Sequence, residues 1–277
     1  MKTLFVSDLD GTLMQPDATL SDKTVRLVNE AIAGGKLFSV ATARTPATVV
    51  PILRDVNMNL PAIVITGAAM FDTATGHYTD VRRMKPAVAE ELVRIYRDTD
   101  TSSFLFTLGD DDVIQIYHLC GRMTDLQERF FDERRFSPFK RFHMSETGAD
   151  ALPPDFDDVI LMYTMLPDEK ARAGYELIKD LPGVKAQYYH DIYGPQTGIL
   201  EAFAYDATKA NAVVALADRV GADRVVCFGD NINDLPMMQV ADVAVAVENA
   251  LPQVKEAADI VIGPNTADSV ARFIAGF

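Results

Sequence analysis

Three short apolar runs near the start of the chain, residues 4–7, 37–41 and 62–65, alternate with stretches of helical pattern. Strands separated by helices are joined by crossovers, so they lie parallel, with helices covering the sheet faces. The first helix is predicted from the capping residue Ser21 to Ala33. Val25, Val28, Ala31 and Ile32 share one side of it, and Gly34-Gly35 stops it. Thr45 caps a second helix that begins at Pro46 and is shortened or kinked by Pro51. Residues 70–78 have the pattern of a hairpin around Asp72-Thr73-Ala74-Thr75-Gly76.

The middle of the chain breaks this alternation. A helix over 86–97 precedes two strand-like runs, 103–108 and 113–119, that flank the turn Gly109-Asp110-Asp111-Asp112. Further strands are expected at 159–165, 184–189 and 199–204, with a helix over 169–179. After Asp206 the first style returns. Helices are expected over 208–220, 234–240 and 268–275, and strands over 225–228, 243–247 and 260–262. The economical architecture is an α/β domain split in sequence, residues 1–82 and 205–277. An α+β domain is inserted at residues 83–204. There is no internal repeat and no low-complexity linker.

Composition narrows the function. The 277 residues are 48% hydrophobic and 24% charged, enough for one large or two ordinary domains with a full core. Forty acids against 26 bases give a net charge of −14, a field that opposes nucleic-acid backbones and anionic membranes. It also repels an anionic substrate unless a local cation or metal cancels it. No run approaches the roughly 20 apolar residues of a membrane span. The start of the chain lacks a signal-peptide pattern, because Asp8 breaks its apolar stretch. Cys120 and Cys227 lie in apolar runs and are expected to be small buried hydrophobes. A reducing cytoplasm is the expected location.

Four places carry chemistry, each at or near the C-terminal end of a predicted core strand, where open α/β sheets bind ligands. The first is Ser7-Asp8-Leu9-Asp10-Gly11-Thr12. Two carboxylates one residue apart repel each other unless a cation joins them or one keeps its proton. A calcium loop counted from Asp8 fails, because Leu13 and Thr19 stand where Gly and Glu are required. The second is Ala41-Thr42-Ala43-Arg44, either a phosphate loop or a plain helix cap. The third is Lys209, set against the dipole at a helix start, which hints at an anion nearby; a surface lysine is the alternative. The fourth is Gly229-Asp230-Asn231-Ile232-Asn233-Asp234, an oxygen-rich loop suited to Mg²⁺. Asn233 or Asp234 is expected to cap the helix that follows, a role that leaves Asp230 unexplained. Together the four supply the parts of phosphoryl transfer: a nucleophile, a proton carrier, a metal and neutralising charge.

In order and spacing, Asp-x-Asp-Gly-Thr, Thr-Ala-Arg, Lys209 and Gly-Asp-x-x-Asn-Asp resemble the haloacid dehalogenase superfamily of phosphohydrolases. The large insertion is similar to that of the Cof-type branch, which includes sugar phosphatases. The resemblance spans the whole length. It implies a Rossmann-like parallel-sheet core and an inserted α+β cap domain that closes over it, excludes water and selects the substrate. It also implies a role for each matching position. Asp8 is the nucleophile that forms an aspartyl-phosphate. Asp10 protonates the leaving alcohol and then deprotonates water, with a pKa raised by its charged neighbour and limited solvent. Mg²⁺ is held by the Asp8 carboxylate, the Asp10 backbone carbonyl and Asp230. Leu9, Thr42, Ala43, Lys209 and Asn233 bind the phosphoryl group. Asp234 stands behind the metal or touches it. The implied partner is a small phosphorylated metabolite, a sugar phosphate foremost, with no nucleic acid and no membrane.

Two positions depart from the family pattern. Ala43 replaces the usual glycine of Thr-Gly-Arg, which strains the loop if its backbone needs a positive φ. Thr66-Gly67-Ala68 replaces the frequent Asn-Gly-Ala. A phosphomutase of the same superfamily shares every motif. A non-catalytic sugar-phosphate-binding module is disfavoured, because Asp8, Asp10, Lys209 and Asp230 are all present. His77, His118, His143 and His190 have no ligand spacing and are expected as surface or satisfied core residues. Arg82-Arg83 and Arg134-Arg135 are expected to be solvated. Phe130, Phe131, Phe136, Phe139 and Phe142 are expected in the core of the inserted domain or where it meets the rest. The polar-aromatic stretch from Tyr188 to Tyr193 is a weaker candidate for sugar contact.

Overall fold

The computed structural model describes the chain apart from Cys120, residues 146–149 and residues 192–193, and without the side chains of 191, 194 and 195. The expectations for Cys120, Asp191 and Tyr193 therefore lie outside the described residues. Two compact units emerge: Met1–Asp80 with Thr208–Phe277, and Val81–Ala207.

In chain order the first unit contributes β1 (Thr3–Ser7), α1 (Asp22–Ala33), β2 (Leu37–Val40), α2 (Pro46–Leu53), β3 (Ala62–Val64), β4 (Ala69–Asp72) and β5 (His77–Val81). The second unit follows with α3 (Pro86–Asp98), β6 (Ser103–Leu108), β7 (Ile114–Leu119), α4 (Asp125–Arg134) and β8 (Lys140–His143). It ends with β9 (Val159–Pro167), α5 (Asp168–Ile178), β10 (Val184–Asp191) and β11 (Gly194–Ala204). The chain then returns with α6 (Lys209–Val220), β12 (Arg224–Gly229), α7 (Leu235–Gln239), β13 (Val243–Val247), α8 (Pro252–Ala257), β14 (Ile260–Ile262) and α9 (Ser269–Gly276).

The first unit is built on a parallel sheet in the order β14-β13-β12-β1-β2. β1, an interior strand between β12 and β2, has no exposed surface at Leu4, Phe5 or Val6, as a strand covered on both faces requires. Ser21 caps α1 as expected, its hydroxyl accepting the Thr24 N–H at 3.0 Å. Thr45 precedes α2, but its hydroxyl makes no cap bond, so Pro46 marks the start. The third strand is a partial departure. β3 joins this sheet only by a parallel bridge between Ala41 and Ile63, and otherwise pairs antiparallel with β4. It ends early because Ile65 and Thr66 turn into the left-handed region, with φ of 52° and 57°.

The second unit is α+β, with a sheet in the order β10-β11-β9-β6-β7-β8. Its pairs are antiparallel except β7 with β8. Neither α4 nor β8 is anticipated by sequence pattern, although α4 opens on a reciprocal box between Thr124 and Gln127. Phe130 of α4 packs beside Phe104, Phe142 and Tyr163, a core role as expected. Phe136 departs from it: the ring is 85% exposed and lies under the Arg135 guanidinium. Arg82 and Arg83 are not simply solvated either. They pair with Asp206 and Asp158, at 3.3 and 2.8 Å. Arg134 lies over the Phe130 ring. His118, His143 and His190 bond Ser102, Gln115 and Asp168, in keeping with satisfied histidines. Among the described residues no helix is long and apolar enough to cross a membrane.

Candidate active site

Register assembles the site from distant sequence. β1 and β12 run parallel with Ser7 opposite Phe228, so Asp8 and Asp230 leave the sheet together at its C-terminal edge. The Asp8 N–H donates to the Phe228 carbonyl at 3.0 Å. Beyond Asp8 the chain turns tightly through Leu9–Leu13, with Gly11 at φ 76°. A Cβ on Gly11 would lie 2.5 Å from Asp230 Oδ2. Glycine is therefore required there twice, for the backbone angle and for the close carboxylate.

Lys209 lies at the first position of α6, only 2% exposed. Its Nζ donates to Asp8 Oδ1 at 2.6 Å and Asp234 Oδ1 at 2.7 Å, so the surface-lysine alternative fails. The misplaced charge at this helix start is answered by these two carboxylates. Asp234, fully buried, uses its other oxygen to accept the Asp230 and Asn231 N–H groups at 3.0 and 3.1 Å. Asp234 stands at the cap position of α7, one of the two positions expected, but its side chain makes no cap bond there. Asn231 caps the short turn Ile232–Asp234, and Asp234 is its reciprocal partner. Thr12 completes the group, its hydroxyl donating to Asp230 Oδ1 at 2.9 Å.

Carboxylate oxygens of Asp8, Asp230 and Asp234 come within 4.8 Å of one another. Burial pushes Asp8 well above the usual carboxylate range; the Asp234 charge adds to this and Lys209 opposes it. Burial, then Asp234, pushes Asp230 up to about 6 against the Thr12 bond. For Lys209, burial works downward, but the Asp234 and Asp8 charges outweigh it and the net shift is upward. Three carboxylates facing one ammonium leave an excess of two negative charges in a largely buried place, which fits a divalent cation. Both Asp234 oxygens are already occupied. That leaves Asp8 Oδ2 and Asp230 Oδ2 as the carboxylate oxygens of the cluster with no hydrogen bond among the described residues.

Asp10 stands apart from this cluster. Its side chain is 54% exposed, and Arg44 grips it bidentately, Nε to Oδ2 at 2.7 Å and Nη2 to Oδ1 at 2.6 Å. The limited solvent expected around Asp10 is not found. Thr42, in the chain's second motif, is buried, and its hydroxyl accepts the Arg44 N–H at 3.1 Å. Ala43 is exposed and has no positive φ, so the alanine substitution strains nothing. The Leu9 side chain is fully buried, which leaves only its backbone to face a ligand. Asn233 is exposed, and its side chain makes no bond to the cluster among the described residues. The sequence reading assigned no role to Arg44, Thr12 or Asn249; the Asn249 amide supports the turn by donating to the Gly11 carbonyl at 2.7 Å. Arg44 and Thr12 lie inside motifs and were legible as candidates. Asn249 carries no local signal.

Fold and acidic cluster together define an α/β enzyme whose reactive groups gather where parallel strands end. The chain belongs to the haloacid dehalogenase-like hydrolases, a family that matches it over residues 5–274. Pyridoxal phosphate phosphatase YbhA of Escherichia coli is 24% identical over 275 residues, covering 96% of this chain and 95% of that protein. The 5-amino-6-(5-phospho-D-ribitylamino)uracil phosphatase YitU of Bacillus subtilis is 25% identical, covering 98% and 96%. The crystal structure of TM0651 from Thermotoga maritima shares the fold, with a TM-score of 0.76 at 20% identity over 100% of this chain and 98% of that one.

Proposed function

We propose that the protein is a Mg²⁺-dependent phosphatase that hydrolyses small phosphorylated metabolites, sugar phosphates foremost, through an aspartyl-phosphate on Asp8. One observation carries the reading. The Asp8 carboxylate is buried, its Oδ1 is held by Lys209, and a carboxylate oxygen of Asp8 lies within 4.8 Å of one from Asp230 and one from Asp234. That is a nucleophile with a fixed direction of attack.

Asp8 attacks phosphorus, and Asp10 gives its proton to the departing alcohol. Asp10 then takes a proton from the water that hydrolyses the acyl phosphate. Lys209 orients Asp8 and favours its ionised form against burial, with one of its three N–H bonds left for a phosphoryl oxygen. Thr42 already accepts a bond, so its O–H is free to donate. The Leu9 and Ala43 amides and Asn233 complete the proposed phosphoryl contacts. Asp8, the Asp10 carbonyl and Asp230 would hold Mg²⁺, which when bound offsets phosphoryl charge. The relatives' names, pyridoxal phosphate and phosphoribitylaminouracil phosphatases, support small phosphorylated metabolites as the substrate class.

The test is phosphate release from a panel of phosphorylated metabolites, with Mg²⁺ and with EDTA. Release should require Mg²⁺ and vanish in Asp8→Asn, while thermal unfolding shows the variant still folded. Turnover by Asp8→Asn would remove the nucleophile assignment. Isomerised sugar phosphate without free phosphate would make the enzyme a mutase.

A further inference from the structure

We infer that Arg44 is a positioning residue for Asp10, fixing the plane of the carboxyl group that handles the leaving-group proton. The inference rests on the phosphatase reading and extends it to a residue outside the acidic cluster. Asp10 is the exposed residue of a tight, mostly buried turn, immediately before a glycine in the left-handed region. Among the described residues Arg44 is its only side-chain partner, and both carboxylate oxygens are engaged. Without that fork, a half-exposed aspartate on a turn samples several rotamers.

Arg44 is itself held by its backbone. Its N–H donates to Thr42 Oγ1 at 3.1 Å, and its carbonyl accepts the Ile65 N–H at 2.9 Å. Thr42, Arg44 and Asp10 thus form a relay of orientation from the second strand to the first motif. The guanidinium is only 25% exposed in its side chain, so the grip is not a loose surface pair. During reaction one arm of the fork opens and the freed oxygen carries the proton, while the other arm holds the carboxyl plane. The Asp8 oxygen bonds to phosphorus, the phosphorus–alcohol bond breaks with its electron pair on the alcohol oxygen, and the Asp10 proton goes to that oxygen. Lysine keeps the charge but cannot make the planar fork.

The experiment compares Arg44→Lys with wild type on two esters, an alkyl phosphate and p-nitrophenyl phosphate, in Mg²⁺. Nitrophenolate departs without a proton, whereas an alkoxide needs one. The value of kcat/KM covers steps up to departure of the leaving group. It should fall by about 10- to 100-fold for the alkyl ester in Arg44→Lys and change little for the aryl ester. In an Asp10→Asn background, Arg44→Lys should cost nothing further. Unfolding temperature checks that each variant is folded, and Arg44→Gln serves as a second variant if Arg44→Lys is not. Equal losses on both esters, or additive losses with Asp10→Asn, overturn the Arg44 role and leave the phosphatase reading intact. Wild-type protein inert on both esters defeats that reading, and the Arg44 role falls with it.

Discussion

Lys209 shows what a single side chain is asked to do here. It is buried between Asp8 and Asp234 with both bonds short. Removing its charge leaves two carboxylates buried and uncompensated. Lys209→Met should therefore cost about 3–5 kcal/mol at pH 7, read by urea unfolding, and less at pH 4, where Asp8, pushed up by burial, takes up a proton. An equal cost at both pH values would mean that lost packing, not lost charge, is responsible. Thr66 poses a different question at the same scale. It is a β-branched residue at φ 57°, buried, with its hydroxyl unpartnered among the described residues. Asparagine tolerates that region far better. Thr66→Asn should raise stability by about 1 kcal/mol, seen as a higher unfolding temperature; a loss would show that the threonine methyl is needed where it packs.

At the scale of elements, strand ends carry the chemistry, and this explains what the sequence could reveal. Asp8 and Asp230 each terminate an apolar run, so their strand-end placement was legible, and parallel pairing of those strands then brings them together. Helix starts at Ser21 and Thr208 were legible through their caps. Side-chain direction on turns was not. Nothing local says that Asp10 reaches Arg44, or that Thr12 reaches Asp230 across 218 residues. α4 escaped because most of its positions are charged and its burial rests chiefly on Phe130 and Gln127. Glu201 is a further case that pattern cannot supply. It lies inside β11 opposite Gln187 and Tyr163, 5% exposed, with Oε2 unpartnered among the described residues. Burial pushes it up to about 7, against an ordinary value of 4.5. Its folded pKa is the higher one, so its contribution to stability is full below about 4.5 and lost as pH rises through about 7. Glu201→Gln should be more stable than wild type at pH 8, with the advantage gone at pH 4, by denaturant titration at each pH. An advantage independent of pH would contradict this.

For the whole molecule, the net charge of −14 and the local excess of carboxylates point the same way. The ammonium of Lys209 is spent on Asp8 and Asp234, so it cannot by itself draw in a phosphate dianion. Inorganic phosphate should therefore raise the unfolding temperature only when Mg²⁺ is present. The shift produced by Mg²⁺ alone should fade below about pH 6, where Asp230 takes a proton and ceases to be a donor. A phosphate-induced shift in EDTA would show that the local field is already attractive.

The pairing of β1 with β12 has a consequence for how the chain is made. The strand that leads into Asp8 leaves the ribosome more than two hundred residues before β12, one of its two neighbours in the sheet. Until then β1 has β2 on one side and an open edge on the other. The partly synthesised chain thus carries an unpaired apolar strand throughout synthesis of the second unit, so that interval, rather than the finished fold, is where the protein is most exposed to aggregation.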